Sequence, residues 1–199
     1  MTRSLKIAGF SHIGFAVDDI EAFQNTWGQL LGMTDWRTKE TTTASGLQLH
    51  GSPVDGVSTA RTATAKIGGT AFELVQPVTG PIHHGEHLER FGPSVHHLAF
   101  WVHDLVDEAQ RLPELGWEIG YSSVSLPGAL RERPVSATVT NPAAADLASA
   151  AEQIPNFFAF IETAKPVINC TIELLDVGFA EQFRQSFGSH TYYPGDLPG

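Results

Sequence analysis

The chain writes one ten-residue motif twice, first as Phe10-Ser11-His12-Ile13-Gly14-Phe15-Ala16-Val17-Asp18-Asp19 and again as Val95-His96-His97-Leu98-Ala99-Phe100-Trp101-Val102-His103-Asp104. His12 overlays His97, Gly14 overlays Ala99, Phe15 overlays Phe100 and Asp19 overlays Asp104, so size and polarity match along the whole run. Two copies of one motif imply two copies of one module, a strong constraint on the fold. In each copy apolar residues alternate as in a half-buried strand. Ile13, Phe15 and Val17 take the packed face, and His12, Gly14 and Ala16 the other; the second copy repeats this with Leu98, Phe100 and Val102 against His97, Ala99, Trp101 and His103. Small residues beside each histidine leave space over it, so Gly14, Ala99 and Trp101 are candidate pocket residues. By the same alternation His96 points to the face opposite His97.

A helix follows each motif. Asp18, with Glu21 three residues on, suits an N-cap, and Ile20, Phe23, Trp27, Leu30 and Leu31 form an apolar stripe that ends at Gly32. In the second copy Asp104 caps, Val106, Ala109 and Leu112 form the stripe, and Pro113 and Gly116 end it.

Each half also closes on a strand with a carboxylate in its middle. Thr70-Ala71-Phe72-Glu73-Leu74-Val75 in the first half is answered by Cys170-Thr171-Ile172-Glu173-Leu174-Leu175 in the second. A glutamate flanked by apolar residues on a strand needs a cation or hydrogen-bond donors to hold it. Two imidazoles and two carboxylates, His12, Glu73, His97 and Glu173, therefore occupy equivalent places in the two modules. They suit one divalent ion, with nickel, cobalt, manganese, iron and zinc all compatible with N/O donors. A closed structural zinc site is disfavoured, since no thiolate belongs to the set. Glu162 is a rival carboxylate, but it ends its strand and has no counterpart in the first half.

The rest of the chain is read around this repeat. Residues 1–80 form the first module, 81–94 a linker, 95–176 the second module with an insertion at 121–156, and 177–199 a tail with a short helix expected over Phe179 to Phe187. His83, His84 and His87 fall in the Gly/Pro-rich linker and are expected to be solvated. The alanine-rich run Ala143 to Glu152 in the insertion is expected to be helical. A formal charge of −10 excludes a nucleic-acid backbone as partner. No apolar run approaches the roughly 20 residues that span a bilayer, and no signal-peptide core follows the N-terminus. A cytoplasmic protein with a small-molecule substrate is expected, a homodimer being compatible. The single cysteine, Cys170, sits in an apolar, β-branched stretch and reads as a buried thiol without chemistry.

The His-Glu-His-Glu set on two matched modules resembles the vicinal oxygen chelate superfamily of glyoxalases, bleomycin resistance proteins and dioxygenases, over roughly residues 8 to 176 apart from 121–156. The run Gly92 to Asp104 and the closing Thr171-Ile172-Glu173-Leu174 look most like methylmalonyl-CoA epimerase. Glu73 departs from bacterial epimerases of that type, which tend to have glutamine there, and makes the set similar to bacterial glyoxalase I. The resemblance implies an α+β fold of two βαβββ modules, paired into a cupped mixed sheet with helices on the outer face. It also implies four metal ligands, His12, Glu73, His97 and Glu173, with Glu73 and Glu173 as candidate catalytic bases. The activity it implies is a metal-dependent isomerase, epimerase or lyase acting on a small carbonyl or thioester substrate through a metal-stabilised enolate. An Fe(II) dioxygenase and a non-catalytic small-molecule-binding protein are the other readings this fold admits.

Overall fold

The computed structural model describes residues 4–43, 47–54, 56–123, 157–162 and 168–196. The alanine-rich run Ala143 to Glu152, expected to be helical, lies outside them.

Among the described residues ten strands make one mixed sheet. They are β1 (Ile7–Ala16), β2 (Arg37–Thr43), β3 (Gln48–Leu49), β4 (Ser52–Pro53), β5 (Ser58–Ile67), β6 (Thr70–Thr79), β7 (Ser94–Val102), β8 (Glu118–Ser122), β9 (Phe158–Glu162) and β10 (Thr171–Asp176), in the spatial order β2-β5-β6-β1-β7-β10-β9-β8-β3-β4. The two motif strands, β1 and β7, pair antiparallel at the centre of the sheet. Each is flanked by its own module's glutamate strand in parallel, β6 beside β1 and β10 beside β7. The modules therefore pair within one chain. The β3–β4 hairpin, which belongs to the first half, crosses to the far edge and adds to β8.

The outer face of the sheet is packed as the alternation requires. Helix α1 (Ile20–Phe23) sits over Val17, Ala63 and Leu74, and α4 (Leu105–Arg111) over Val102, Ala159, Ile161 and Leu174. The second N-cap is Asp104, accepting from the Asp107 amide, as expected; the first is Asp19, accepting from the Ala22 amide, one residue after the expected Asp18. The repeat register, with Asp19 on Asp104, is thus obeyed more closely than the capping-box spacing.

Beyond α1 the first helix departs from its apolar stripe. A π-turn over Gln24–Gly28 precedes α2 (Gln29–Leu31). Its wider winding shifts the helical phase, so Trp27 and Leu30 are 60% and 81% exposed instead of packed.

Two further helices lie on the inner face. The expected linker is folded: α3 (His83–Phe91) carries His83 and His84 into the interior, where they pack against His96, His97 and Phe160. The reason is local. The spacing of His83, His84 and His87 puts these rings on one side of a helical turn, and aromatic side chains already line that part of the sheet. The tail supplies α5 (Ala180–Phe187), followed by the buried run Thr191–Tyr193. Arg37 on β2 holds its end, donating from Nε to the Ser186 carbonyl at 2.6 Å and from Nη2 to the Gln185 carbonyl at 3.2 Å. Trp101, expected beside an open pocket, is fully buried under this segment. Its Nε1–H donates to the Tyr192 carbonyl at 2.9 Å, and its ring meets Phe183 and Tyr193.

Candidate metal centre

Sheet register alone brings the four candidate ligands together. In one row across the sheet, Glu73 on β6 lies beside Gly14 on β1, which lies beside His97 on β7. In the next, His12 on β1 lies beside Ala99 on β7, which lies beside Glu173 on β10. The rows are one arrangement written twice. Gly14 and Ala99, expected to border a substrate pocket, are the small residues that separate histidine from glutamate in each row. The space above Gly14 is taken: a Cβ built there would lie 1.9 Å from Cε1 of His97. Ala99 is fully buried.

The donor atoms converge. His12 Nε2 lies 3.1 Å from His97 Nε2, 3.3 Å from Glu73 Oε2 and 3.3 Å from Glu173 Oε2, while His97 Nε2 lies 3.6 and 3.4 Å from the same two oxygens. Ligands held about 2.1 Å from one ion are ~3.0 Å apart at right angles and ~3.4 Å apart in a tetrahedron. The observed separations fall around those edges. Glu173 Oε2 is buried and makes no well-formed hydrogen bond, although both imidazole Nε2 atoms are close. A buried carboxylate oxygen in that state calls for a cation.

The electrostatics say the same. Burial alone would drive His12 neutral, yet the two carboxylates of Glu73 and Glu173 beside it overcome that and push His12 up to about 10. Burial likewise opposes ionisation of Glu73, and the His12 charge beside it, with a hydrogen bond from His12, holds it well below the usual carboxylate range. Without an ion the site fills its need for positive charge with a proton on His12. A divalent cation can displace that proton. The donor set of His12, Glu73, His97 and Glu173 fits a divalent metal, which these four residues would hold.

Both imidazoles are also held from behind, through a feature that alternation conceals. The β1–β7 register slips between Phe10 and His12 and again between Gly14 and Phe15, which makes Ser11 and His96 the extra residues of two β-bulges. Each bulge turns the residue before the ligand histidine onto the ligand's own side. Ser11 Oγ lies 3.0 Å from His12 Nδ1, and His96 Nδ1 lies 2.9 Å from His97 Nδ1. His96 therefore shares a side with His97, contrary to the alternation reading. On the first side the network continues to Thr191 of the tail, whose Oγ1 is 3.2 Å from Ser11 Oγ and 3.5 Å from His12 Nδ1.

Sequence reasoning misses Ser11, Thr191, His83 and His84 as members of this surround, puts His96 on the other face, and weighs Glu162 only as a rival ligand. The repeat held one signal for them, since it overlays Ser11 on His96. His84 stacks on His96 with ring centroids 3.9 Å apart, and among the described residues neither of its nitrogens has a hydrogen-bond partner. Burial, with the neighbouring imidazoles, keeps His84 and His96 well below the ordinary histidine value and so neutral. Burial also raises Cys170, in keeping with a thiol that takes no part.

No curated protein matches the chain. Among solved structures, methylmalonyl-CoA epimerase from Mycobacterium tuberculosis is 20% identical, with a TM-score of 0.47 over 88% of this chain and 92% of that one. A Streptomyces coelicolor methylmalonyl-CoA epimerase variant in complex with 2-nitronate-propionyl-CoA is 16% identical, with a TM-score of 0.47 over 86% and 98%. A variant of 4-hydroxymandelate synthase from Streptomyces coelicolor is 15% identical, with a TM-score of 0.41 over 86% of this chain and 63% of that one. The family model described as glyoxalase/bleomycin resistance protein/dioxygenase superfamily matches residues 11–127. That match covers more than half of the 199 residues and takes in both candidate histidines and the first of the two glutamates, and the chain belongs to that superfamily.

Proposed function

We propose that the protein is a divalent-metal-dependent isomerase, epimerase or lyase that moves a proton at the α-carbon of a small carbonyl or thioester compound. The supporting observation is the convergence of two imidazoles and two carboxylates, almost wholly buried, on one point. A bound divalent ion would supply Lewis-acid stabilisation of the developing enolate. Everything else falls to side chains. His12 and His97 present Nε2 to the centre and are held from behind by Ser11 and His96. Glu73 and Glu173 approach them from strands on opposite sides of the β1–β7 pair. One carboxylate takes the α-proton as the Cα–H bond breaks and its electron pair moves onto the carbonyl oxygen; the same or the opposite carboxylate returns a proton. Two bases on opposite sides suit inversion at carbon. Burial of both favours a reaction kept from bulk water.

The test is solvent deuterium uptake at the α-carbon, followed by NMR with α-substituted acyl thioesters and hemithioacetals. Uptake is expected only with metal loaded, and Glu73→Gln or Glu173→Gln is expected to slow it by about 10²- to 10⁴-fold. Full metal content and full exchange in both variants would sink the proposal. Oxygen consumption with Fe(II), without exchange, would replace it by the dioxygenase reading.

A further inference from the structure

We infer that His96, His83 and Glu162 form a hydrogen-bonded relay that locks His97 in the tautomer with a free Nε2 lone pair, making them positioning residues for the metal centre. The inference rests on the reading of His97 as a ligand.

Three contacts run in series away from the centre. His97 Nδ1 lies 2.9 Å from His96 Nδ1, His96 Nε2 lies 2.9 Å from His83 Nδ1, and His83 Nε2 lies 2.6 Å from Glu162 Oε1. A neutral imidazole has one N–H and one lone pair, so each link fixes the next. An ionised carboxylate only accepts, and the hydrogen bond from His83 holds Glu162 below the usual carboxylate range. His83 therefore donates from Nε2 and, as a neutral ring, accepts at Nδ1. His96 donates to it from Nε2 and must accept at Nδ1. His97 donates there from Nδ1, which leaves its Nε2 lone pair facing Glu73, Glu173 and His12. The direction extends one step further, because the 3.1 Å contact between His97 Nε2 and His12 Nε2 then has His12 as its donor. A bound ion would take the place of that N–H.

The surroundings hold the relay in place. His83, His96 and His97 are all buried, so water does not compete along the three imidazoles. His84 stacks on His96, and Phe160 and Tyr121 both stack with His83, at interplanar angles of 22° and 4°. Glu162 lies over bare backbone: a Cβ on Gly120, a residue of ordinary negative-φ backbone, would fall 2.6 Å from the Glu162 carboxyl carbon. Among the described residues the first half has no such relay. Behind His12 stand the hydroxyls of Ser11 and Thr191, the latter also within reach of the Ser11 carbonyl, and hydroxyls, which donate or accept equally, dictate no tautomer. A carboxylate behind a ligand histidine commonly raises metal affinity 10- to 100-fold; here two imidazoles carry that effect over a longer path.

A cation bound instead by His84, His96 and His97, whose ligand atoms lie within 4.8 Å of one another, would require His96 to give up one of its two hydrogen bonds. It would also require two face-stacked rings to aim in-plane lone pairs at one point.

Two measurements decide. Long-range ¹H–¹⁵N spectra of the metal-free protein report histidine tautomers, and chelator competition reports Co²⁺ affinity. The wild type is expected to show Nδ1–H on His97 and Nε2–H on His96 and His83. Glu162→Leu is expected to lower Co²⁺ affinity about 10- to 100-fold with the melting temperature little changed, and to populate Nε2–H on His97. Glu162→Gln, which keeps an acceptor, is expected to restore most of the affinity. Gly120→Ala is expected to lower it by displacing the carboxylate without removing it. Nε2–H on His97 in the metal-free wild type, affinity within twofold of wild type in Glu162→Leu, or two ions bound per chain would each overturn the relay. If the wild type binds no ion, the reading of the metal centre fails by itself, and the tautomer spectra still decide the relay.

Discussion

Gly14→Ala is expected to disable the metal centre while leaving every candidate ligand in the sequence. The added methyl would lie 1.9 Å from Cε1, 2.1 Å from Nε2 and 2.4 Å from Nδ1 of His97. That ring has nowhere to go, since it is fully buried, tied to His96 through Nδ1 and packed edge-on against Phe160. The methyl must therefore push apart the central β1–β7 pair or swing His97 out of the site. Overpacking of this kind destabilises by about 1–3 kcal/mol. Loss of one ligand's geometry is expected to lower metal affinity by about 100-fold or more, beyond the effect of removing a partner behind a ligand. Urea denaturation and metal titration read the two effects separately. Gly9→Ala is the matched control on the same strand, because a Cβ there meets nothing within 4 Å; both readouts should stay near wild type. Wild-type metal affinity in Gly14→Ala would show that the ring does not occupy this space, and the assignment of His97 as a ligand would fall with it.

The second large effect is on pH dependence. In the metal-free protein His12 is pushed from 6.5 up to about 10 by Glu73 and Glu173, against the cost of burial. A raised folded-state pKa gives stability that is fully present below the unfolded value, about 6.5 for histidine. That stability is lost as pH rises through the folded value. The metal-free protein is therefore expected to lose stability, on the order of a few kcal/mol, between about pH 6.5 and 10. At the acid end the lowered pKa of Glu73 works in the opposite sense. Its contribution is present above the ordinary glutamate value and lost as pH falls through the depressed one. Saturating metal should remove the alkaline decline, because the ion replaces the His12 proton, and metal binding below pH 10 should release a proton. Thermal melts across pH, with and without metal, check both statements. Stability of the metal-free protein that is flat or rising from pH 6.5 to 10 would show that His12 does not carry the site's positive charge.

Much of this centre is legible in the linear sequence because the module is written twice. The overlay of His12 on His97 and of Glu73 on Glu173 marks four positions, and period-two alternation assigns Ile13, Phe15, Leu98 and Phe100 to the side away from the ligands. The failures are of one kind. Alternation assumes an unbroken ladder, so a bulge of one residue turned His96 toward the site and the reading away from it. Helical period assumes 3.6 residues per turn, so a single π-turn moved Trp27 and Leu30 into solvent. Composition assumes that histidine beside glycine and proline is solvated, yet α3 buries His83 and His84 because a layer of aromatic rings is there to receive them. Alternation puts Trp101 on the same face of β7 as His97, but nothing local says that residues some 90 positions later cover it.

What the sequence determined by itself is the set of local periods: the two faces of each motif strand, a helix start at Asp104 and one a residue away from Asp19, and the chemistry of the four repeated positions, because each depends on residues within a few places of one another. The tertiary structure decided what those positions meet. Register across β6, β1, β7 and β10 set the edges between donors, two bulges chose which neighbours stand behind the imidazoles, and helix α3 together with a tail distant in sequence closed the inner face. Such contacts are fixed by packing and by the need to satisfy buried polar groups over the whole molecule, which no window along the chain contains.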